Sequence, residues 1–147
     1  MKTLGMAAML LLLPVACSAQ QTNASPGKVV IRILNGKTGK PARRHDSNNV
    51  WLGDGDNLLL QSSPKGEIMV DVGNARPFEI RFTPNTYFDC RFQRDVSSGR
   101  YVKYSLEEII SKGIVGENVC SKTRASPTLG VLVVYVRPRT LLELMKL

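Results

Sequence analysis

The sequence predicts a mainly β protein, a single β-sandwich of about seven strands with a short helix near residues 105–112 and a C-terminal helix. Two observations support this prediction: short segments in which apolar and polar residues alternate, and turn-forming residues between them. Alternation with a period of two is typical of strands that bury one face, and Gly, Pro and Asn are typical of the turns between them. We assign residues 28–147 to the sandwich.

The strand pattern is clearest where every second residue is apolar, in segments 28–34, 67–72, 77–83 and 87–93. Shorter strands are predicted near 50–52, where Trp51 is expected to pack in the core, and at 58–61. Turns rich in Gly, Pro, Asn and Asp separate these strands at 35–41, 53–57 and 62–66. Segment 129–136 is apolar at nearly every position, which predicts a central strand that is covered on both faces.

Two helices are predicted in the last third of the chain. Ser105 and Glu108 have the spacing of a capping box, and Lys112-Gly113 provides the end of that helix. The tail Thr140–Leu147 has an amphipathic pattern after Arg137-Pro138. We expect this tail to pack on the sandwich, with a membrane or a partner protein as the alternative.

The N-terminus has the layout of a secretory signal. Lys2 precedes the apolar run 6–15, which is followed by small residues at 16–19 and a polar stretch. The run is shorter than the about 20 residues that a transmembrane helix needs. We therefore predict a signal peptide at 1–19, a flexible leader at 20–27 and a secreted or periplasmic protein. The alternatives are a buried N-terminal helix and lipid attachment at Cys17, which would anchor the chain to a membrane.

Two cysteines remain after such cleavage, Cys90 and Cys120. In an oxidising compartment they allow one intramolecular disulfide, which we predict. A zinc site would need further Cys or His ligands nearby, and a redox-active pair would have the Cys-x-x-Cys spacing; the sequence has neither.

The chain is basic, with 20 Lys and Arg against 12 Asp and Glu; removal of Lys2 with the signal peptide would leave a net charge of +7. The excess is scattered along the chain, including Arg137 and Arg139. In an exported protein, such a surface favours anionic lipid headgroups, acidic polysaccharides or another exported protein that is acidic. Export makes nucleic acid an unexpected partner. A soluble surface that is merely basic is the alternative.

No catalytic or cofactor motif is recognisable in the sequence, so we predict a non-catalytic protein without a cofactor. His45 is the only histidine, and no Gly-x-Ser-x-Gly motif accompanies it. Asp54, Asp56 and Asn57 form a weak candidate for Ca²⁺, but the Glu that completes an EF-hand loop is missing. The rival hypothesis is a small secreted hydrolase that uses carboxylates such as Asp54 and Asp56.

A candidate contact patch combines aromatic and basic residues before the first predicted helix: Arg100, Tyr101, Lys103 and Tyr104. Exposed tyrosines beside cations could stack on sugar rings or contact an anionic partner. This candidate role requires that the patch is exposed. Membrane association is expected only if Cys17 is lipidated or the C-terminal helix docks on a bilayer.

The first half of the mature chain resembles the transthyretin-like, carboxypeptidase-regulatory-type sandwich domains of bacterial exported proteins. The resemblance extends from Val30 to about Phe82 and rests on the strand and Thr-Gly-x-Pro turn at 31–41, the strand near 50–52, and the turn and strand at 65–70. It implies a prealbumin- or immunoglobulin-like sandwich in a short secreted bacterial protein. It also implies an adhesive or scaffolding role, so we expect an exported binding or structural module of the cell envelope or extracellular space.

Overall fold

The structure, a computed structural model, describes residues 27–42, 47–53, 55–73, 79–84, 86–92 and 102–145. The predicted signal peptide with Cys17, the leader apart from Gly27, and His45 lie outside these ranges.

Nine strands and two short helices form the described part of the chain, which confirms the mainly β prediction. In chain order they are β1 (Lys28–Asn35), β2 (Ser47–Leu52), β3 (Asn57–Gln61), β4 (Glu67–Asp71), β5 (Glu79–Pro84), β6 (Tyr87–Asp89), β7 (Lys103–Ser105), α1 (Leu106–Lys112), β8 (Ile114–Val115), β9 (Val131–Pro138) and α2 (Leu141–Leu144). The number exceeds the predicted seven because the short strands β7 and β8 flank α1, where the sequence indicates only the helix and a loop or short strand.

The strands form two sheets, in the orders β4-β1-β9-β6 and β3-β2-β5-β7, and β8 also pairs with β9 in the first sheet. β1 and β9 run parallel, in register from Val30 opposite Val131 to Asn35 opposite Val136. The first and last strands of the described chain therefore lie side by side in the first sheet. Residues about a hundred positions apart meet where these two strands end.

The core lies between the two sheets, which supply it with alternate residues. Ile31 and Ile33 of β1 belong to one buried cluster with Val50 of β2 and Phe82 of β5. Each fully buried aliphatic or aromatic side chain of this kind contributes about 1.5–3 kcal/mol through the hydrophobic effect. This face-to-face packing is the β-sandwich that the alternating segments predict.

β9 is buried on both faces, as its continuous apolar sequence predicts. Every residue from Val131 to Val136 is at most 2 % exposed. One face enters the core between the sheets, and the other forms a second cluster with Leu34 and Cys90. Cys120 and Ala125, from the irregular segment 116–130, pack against this second cluster and so cover the outer face of the first sheet.

Helix α1 begins and ends as its sequence predicts. The Ser105 hydroxyl accepts a hydrogen bond from the Glu108 amide at 3.3 Å. Gly113, with φ of 74°, ends the helix and donates its amide to the carbonyls of Glu108 and Ile109. A Cβ at position 113 would lie 2.1 Å from the Thr128 carbonyl oxygen, so glycine is required by space as well as by φ.

Strand β6 is shorter than predicted. The pattern indicates a strand over 87–93, but β6 ends at Asp89, and Cys90 and Arg91 form a turn. The Asp89 carboxylate accepts a hydrogen bond from the Arg91 amide at 3.0 Å. This local bond competes with the ladder and turns the Arg91 side chain into the interior, where a strand would alternate it outward.

Trp51 lies on the outer face of the second sheet, so the prediction that it packs in the core is wrong. Its neighbour Val50 is fully buried on the inner face, and Trp51 is only partly buried. Across the sheet it is opposite Arg81 of β5 and Asn57 of β3. Apolar residues on both sides of Trp51 left the alternation undecided, and the strand register places it outward.

Candidate functional site: a cationic cleft

Two adjoining cavities form a cleft between the turn that follows β1 and the segment that joins β9 to α2. Their volumes are about 320 and about 650 Å³, and Asn35, Thr38 and Pro138 line both. We call this feature the cationic cleft after its side chains, which include Lys37, Lys40, Arg137 and Arg139 with the hydroxyls of Thr38 and Thr140.

The turn after β1 is held by its own side chains. The Asn35 side-chain oxygen accepts the amides of Lys37 and Thr38 at 2.9 and 3.3 Å. The amide of Gly36 donates to the Val136 carbonyl of β9 at 2.7 Å, which fixes the turn to the first sheet. The Asn35 amide also donates to the Lys40 carbonyl at 2.8 Å, so the lysine side chains extend into solvent from a turn that is closed on itself.

Gly36 is also required by the packing beneath the turn. A Cβ at this position would lie 2.7 Å from the Cys90 sulfur and 2.8 Å from Oδ1 of Asn118. The Asn118 amide donates to the Gly36 carbonyl at 2.8 Å, and the Ser121 hydroxyl donates to the same oxygen. The disulfide segment thus forms the floor on which the cleft's turn rests.

Arg137 is the most constrained cation of the cleft. Its guanidinium donates two parallel hydrogen bonds to Glu143, at 2.8 and 2.6 Å, and lies 3.9 Å from the centroid of the Phe88 ring. Phe88 is the cross-strand neighbour of Arg137 in the β6–β9 ladder. A bidentate ion pair with a stacked ring orients the guanidinium plane, so the start of α2 is tied to the end of β9.

Positive charge dominates the cleft. No Asp or Glu is among the residues that line either cavity in the described chain. Glu143 pairs with Arg137 of the cleft. Hydrogen bonds from Arg137 and from the Thr140 backbone lower the pKa of Glu143 far below the usual value, so it stays ionised and paired. Lys37 and Lys40 form no ion pair with any described residue. These lysines give the cleft a net positive field.

Cations and hydroxyls that line one cleft suit an anionic ligand. Lysine and arginine donate to phosphate, sulfate or carboxylate oxygens, and the Thr38 side chain can bind a neighbouring oxygen.

A second arginine, Arg91, is buried on the inner side of the protein. Its side chain is 4 % exposed and forms an ion pair with Asp89. It also donates to the Tyr104 hydroxyl at 3.0 Å and to the Phe82 carbonyl at 2.6 Å, and it lies within 6.0 Å of three aromatic ring centroids. No face of Arg91 is left for a ligand, so its role is structural.

The pKa shifts of this buried cluster agree with a structural role. Burial disfavours the charge of Arg91, but hydrogen bonding and Coulombic attraction from Asp89, with a smaller contribution from Tyr104, keep its pKa above the usual value. Burial raises the pKa of the Tyr104 hydroxyl, although Arg91 opposes this rise. Both groups therefore hold their protonated forms throughout the physiological range.

The predicted contact patch is not one exposed surface. Tyr104 is 7 % exposed and faces the core, so the prediction that it is an exposed contact is wrong. Lys103 is exposed and pairs with Glu79 at 2.9 Å. Arg100 and Tyr101 lie outside the described residues. The single-residue alternation of β7 separates Lys103 from Tyr104, because successive side chains of a strand point to opposite faces.

Cys90 and Cys120 form a disulfide with a Cα–Cα distance of 5.4 Å, as predicted. Of the weak calcium candidate, Asp56 and Asn57 are exposed and Asp54 lies outside the described residues. Within those residues, no three His, Cys, Asp or Glu side chains come together as a metal site would require.

The C-terminal helix is present, but its packing differs from the prediction. α2 was expected to cover the sandwich with its apolar side; instead Leu141, Leu142 and Met145 are 79 %, 68 % and 73 % exposed. The bond between Arg137 and Glu143 fixes the helix by its polar side and leaves these apolar residues facing solvent.

The cationic cleft was not predicted as a site. In the sequence its arginines belong to a scattered basic surface, and its lysines are residues of a predicted turn. The pairing of Asn35 with Val136 brings the lysines of the turn close to Arg137 and Arg139. The one available signal is that two basic stretches, Lys37 to Lys40 and Arg137 to Arg139, each directly follow a strongly predicted strand.

Comparison of the chain with protein-family models, with curated proteins and with solved structures finds no match. Among the residues that the structure describes, neither helix has the length and apolar character needed to cross a membrane.

Proposed function

We propose that this protein is an exported, non-catalytic binding module, and that the cationic cleft binds an anionic group of a cell-envelope or extracellular component. The observation that carries the proposal is the convergence of Lys37, Lys40 and Arg139 on cavities with no acidic lining residue in the described chain. Cations converging on a concave site raise the local concentration of anions.

Two further observations support export and a binding role. The Cys90–Cys120 disulfide is of a kind that persists in oxidising compartments. The two-sheet sandwich is also the architecture expected from the resemblance to transthyretin-like domains, whose implied role is adhesive or scaffolding. The proposal therefore includes a relationship of this chain to the transthyretin-like domains.

The test is retention of the mature chain on an immobilised anionic polysaccharide, measured against NaCl concentration. The triple variant Lys37→Gln/Lys40→Gln/Arg139→Gln should elute at clearly lower salt than the native chain, because it forms fewer ion pairs with the polysaccharide. Salt weakens such exposed pairs, since charges are screened over about 8 Å at physiological ionic strength. The control is Lys28→Gln/Lys65→Gln/Lys112→Gln, which removes the same charge from exposed lysines outside the cleft.

Equal elution of the two triple variants would show that net charge alone causes retention and would contradict a site at the cleft. Retention of the native chain that does not change with salt would remove electrostatics as its basis.

A further inference from the structure

The most exposed apolar surface of the described chain lies beside the cationic cleft. Leu141, Leu142 and Met145 are 79 %, 68 % and 73 % exposed, and all three belong to α2 or its C-cap. Contiguous exposed apolar residues on a soluble domain mark an interaction surface more often than single ones do. We call these three residues the apolar tip.

The exposure of the apolar tip follows from how α2 is anchored. Thr140 and Glu143 form a complete capping box, and Glu143 pairs with Arg137 of β9. At 100° per residue, Leu141, Leu142 and Met145 cover one side of the helix, and Glu143 lies on the other. The polar side is therefore held by the sheet, and the apolar tip faces outward.

The cations of the cleft adjoin the apolar tip directly. Thr140, the N-cap of α2, lines the same cavity as Lys37 and Arg139. One edge of the protein thus combines exposed leucine and methionine with lysine and arginine. That combination is complementary to an anionic bilayer, whose headgroups pair with cations while its acyl boundary receives apolar side chains.

Other occupants fit this edge less well. A second copy of the chain would bring the same cations into contact, at a net charge of +8 for each full-length chain at pH 7. A polysaccharide alone would satisfy the cations but would leave the leucines in water.

We propose that the apolar tip and the cationic cleft together dock the protein on the surface of an anionic lipid bilayer, with Leu141, Leu142 and Met145 entering the headgroup–acyl boundary. This inference rests on the proposed function and names the lipid headgroup as the source of the anion. It describes a protein that lies on a membrane, held by one short helix and the adjoining cations.

The experiment measures co-sedimentation of the mature chain with vesicles of phosphatidylglycerol and phosphatidylcholine in equal parts, and with vesicles of phosphatidylcholine alone. The native chain should bind the anionic vesicles and bind the zwitterionic ones much more weakly. Leu141→Gln/Leu142→Gln should weaken binding to anionic vesicles by about tenfold or more, because two leucines no longer leave water.

The chain supplies a matched control for this variant. Leu59 and Met69 are 63 % and 69 % exposed, but they lie on β3 and β4, away from the cleft lining. Leu59→Gln/Met69→Gln should bind the anionic vesicles as the native chain does. Both double variants change exposed residues, so neither should alter the denaturation midpoint appreciably.

The outcomes separate this inference from the proposed function. Anionic vesicle binding that is lost in the cleft triple variant but unchanged in Leu141→Gln/Leu142→Gln would overturn the role of the apolar tip and leave the cleft as an anion site. Polysaccharide retention without vesicle binding would do the same. Loss of both kinds of binding from the native chain would overturn both proposals. A dimer of the native chain that Leu141→Gln/Leu142→Gln dissociates would instead assign the tip to self-association.

Discussion

Arg91 and Arg137 are chemically alike in their contacts but differ in their surroundings. Each guanidinium pairs with a carboxylate and lies near an aromatic ring, Asp89 and Tyr104 for the first, Glu143 and Phe88 for the second. The Arg91 side chain is 4 % exposed inside the protein. The Arg137 side chain is 18 % exposed and lines the cationic cleft.

This difference in exposure means that the surroundings of an ion pair decide how much the pair contributes to the stability of the fold. Breaking a buried pair strongly destabilises the fold, because removal of one partner leaves an unpaired charge in a medium of low polarity. At the edge of a cleft, water can solvate a charge whose partner is removed. Loss of such a pair therefore changes the free energy of unfolding little and mainly frees the element that the pair held in place. We therefore expect Arg91 to support the fold and Arg137 to support the position of α2.

The largest effect is expected for Arg91→Met, which should lower the free energy of unfolding by about 3–5 kcal/mol, because Asp89 is left without its partner. Urea denaturation followed by circular dichroism measures this change. Arg137→Met, measured in the same way, should cause a clearly smaller loss. Equal losses would contradict the comparison. In Asp89→Asn/Arg91→Met no unpaired charge remains, so its loss should be less than the sum of the two single losses.

Removal of the disulfide is expected to have the next largest effect. Cys90→Ala/Cys120→Ala should lower the free energy of unfolding by about 3–4 kcal/mol, since the bridge closes a loop with a sequence separation of 30 residues. Reduction of the native chain before denaturation should shift the midpoint in the same direction. The variant, while folded, should still bind at the cleft. An unchanged midpoint in the variant would contradict a stabilising disulfide.

Tyr104→Phe should cost about 1 kcal/mol, the contribution of the hydrogen bond that Tyr104 accepts from Arg91. The pKa of Tyr104 is raised in the folded state. The stability that this shift contributes is therefore complete below the ordinary tyrosine pKa of about 10 and is lost as pH rises through the higher folded value. Urea midpoints measured from pH 8 to pH 11 should fall less steeply for Tyr104→Phe than for the native chain. An identical fall would show that Tyr104 does not titrate with unfolding.

Glu143→Gln should have the smallest effect on global stability and a local effect on α2. It removes the carboxylate that holds the helix to Arg137. Hydrogen exchange of the Glu143 and Met145 amides, which donate to the carbonyls of Thr140 and Leu141, should therefore become faster while the β9 amides stay protected. The lowered pKa of Glu143 adds a pH dependence. The anchoring is complete above the ordinary Glu pKa of about 4.3 and is lost only as pH falls far below it.

Native α2 should therefore remain protected at pH 4. The control is Glu107→Gln, which changes an exposed glutamate of α1. Equal exchange in native and Glu143→Gln chains would contradict the anchoring role.

Local patterns predicted the elements whose causes are local. The alternation of Val29, Ile31 and Ile33 identified β1, and Ser105 with Gly113 identified the ends of α1. Two cysteines left one intramolecular pairing, which the structure contains.

The failures concern the surroundings of single side chains. The sequence predicts the wrong environment for Trp51, Tyr104 and the pair Leu141 and Leu142. A residue type and its immediate neighbours do not specify which face of a strand or helix meets the rest of the protein.

The sequence by itself determined the class of fold, the positions of most strands and α1, because propensity, periodicity and capping act within a few residues. It also determined the disulfide, because two cysteines allow one intramolecular pairing. Only the tertiary structure decided the cationic cleft and the apolar tip. The cleft depends on the parallel pairing of β1 with β9, which places the Lys37 turn beside Arg137 and Arg139. The exposure of the tip depends on the ion pair of Arg137 with Glu143. Contacts across about a hundred residues are fixed by the packing of the whole sandwich, and no local pattern in the chain encodes them.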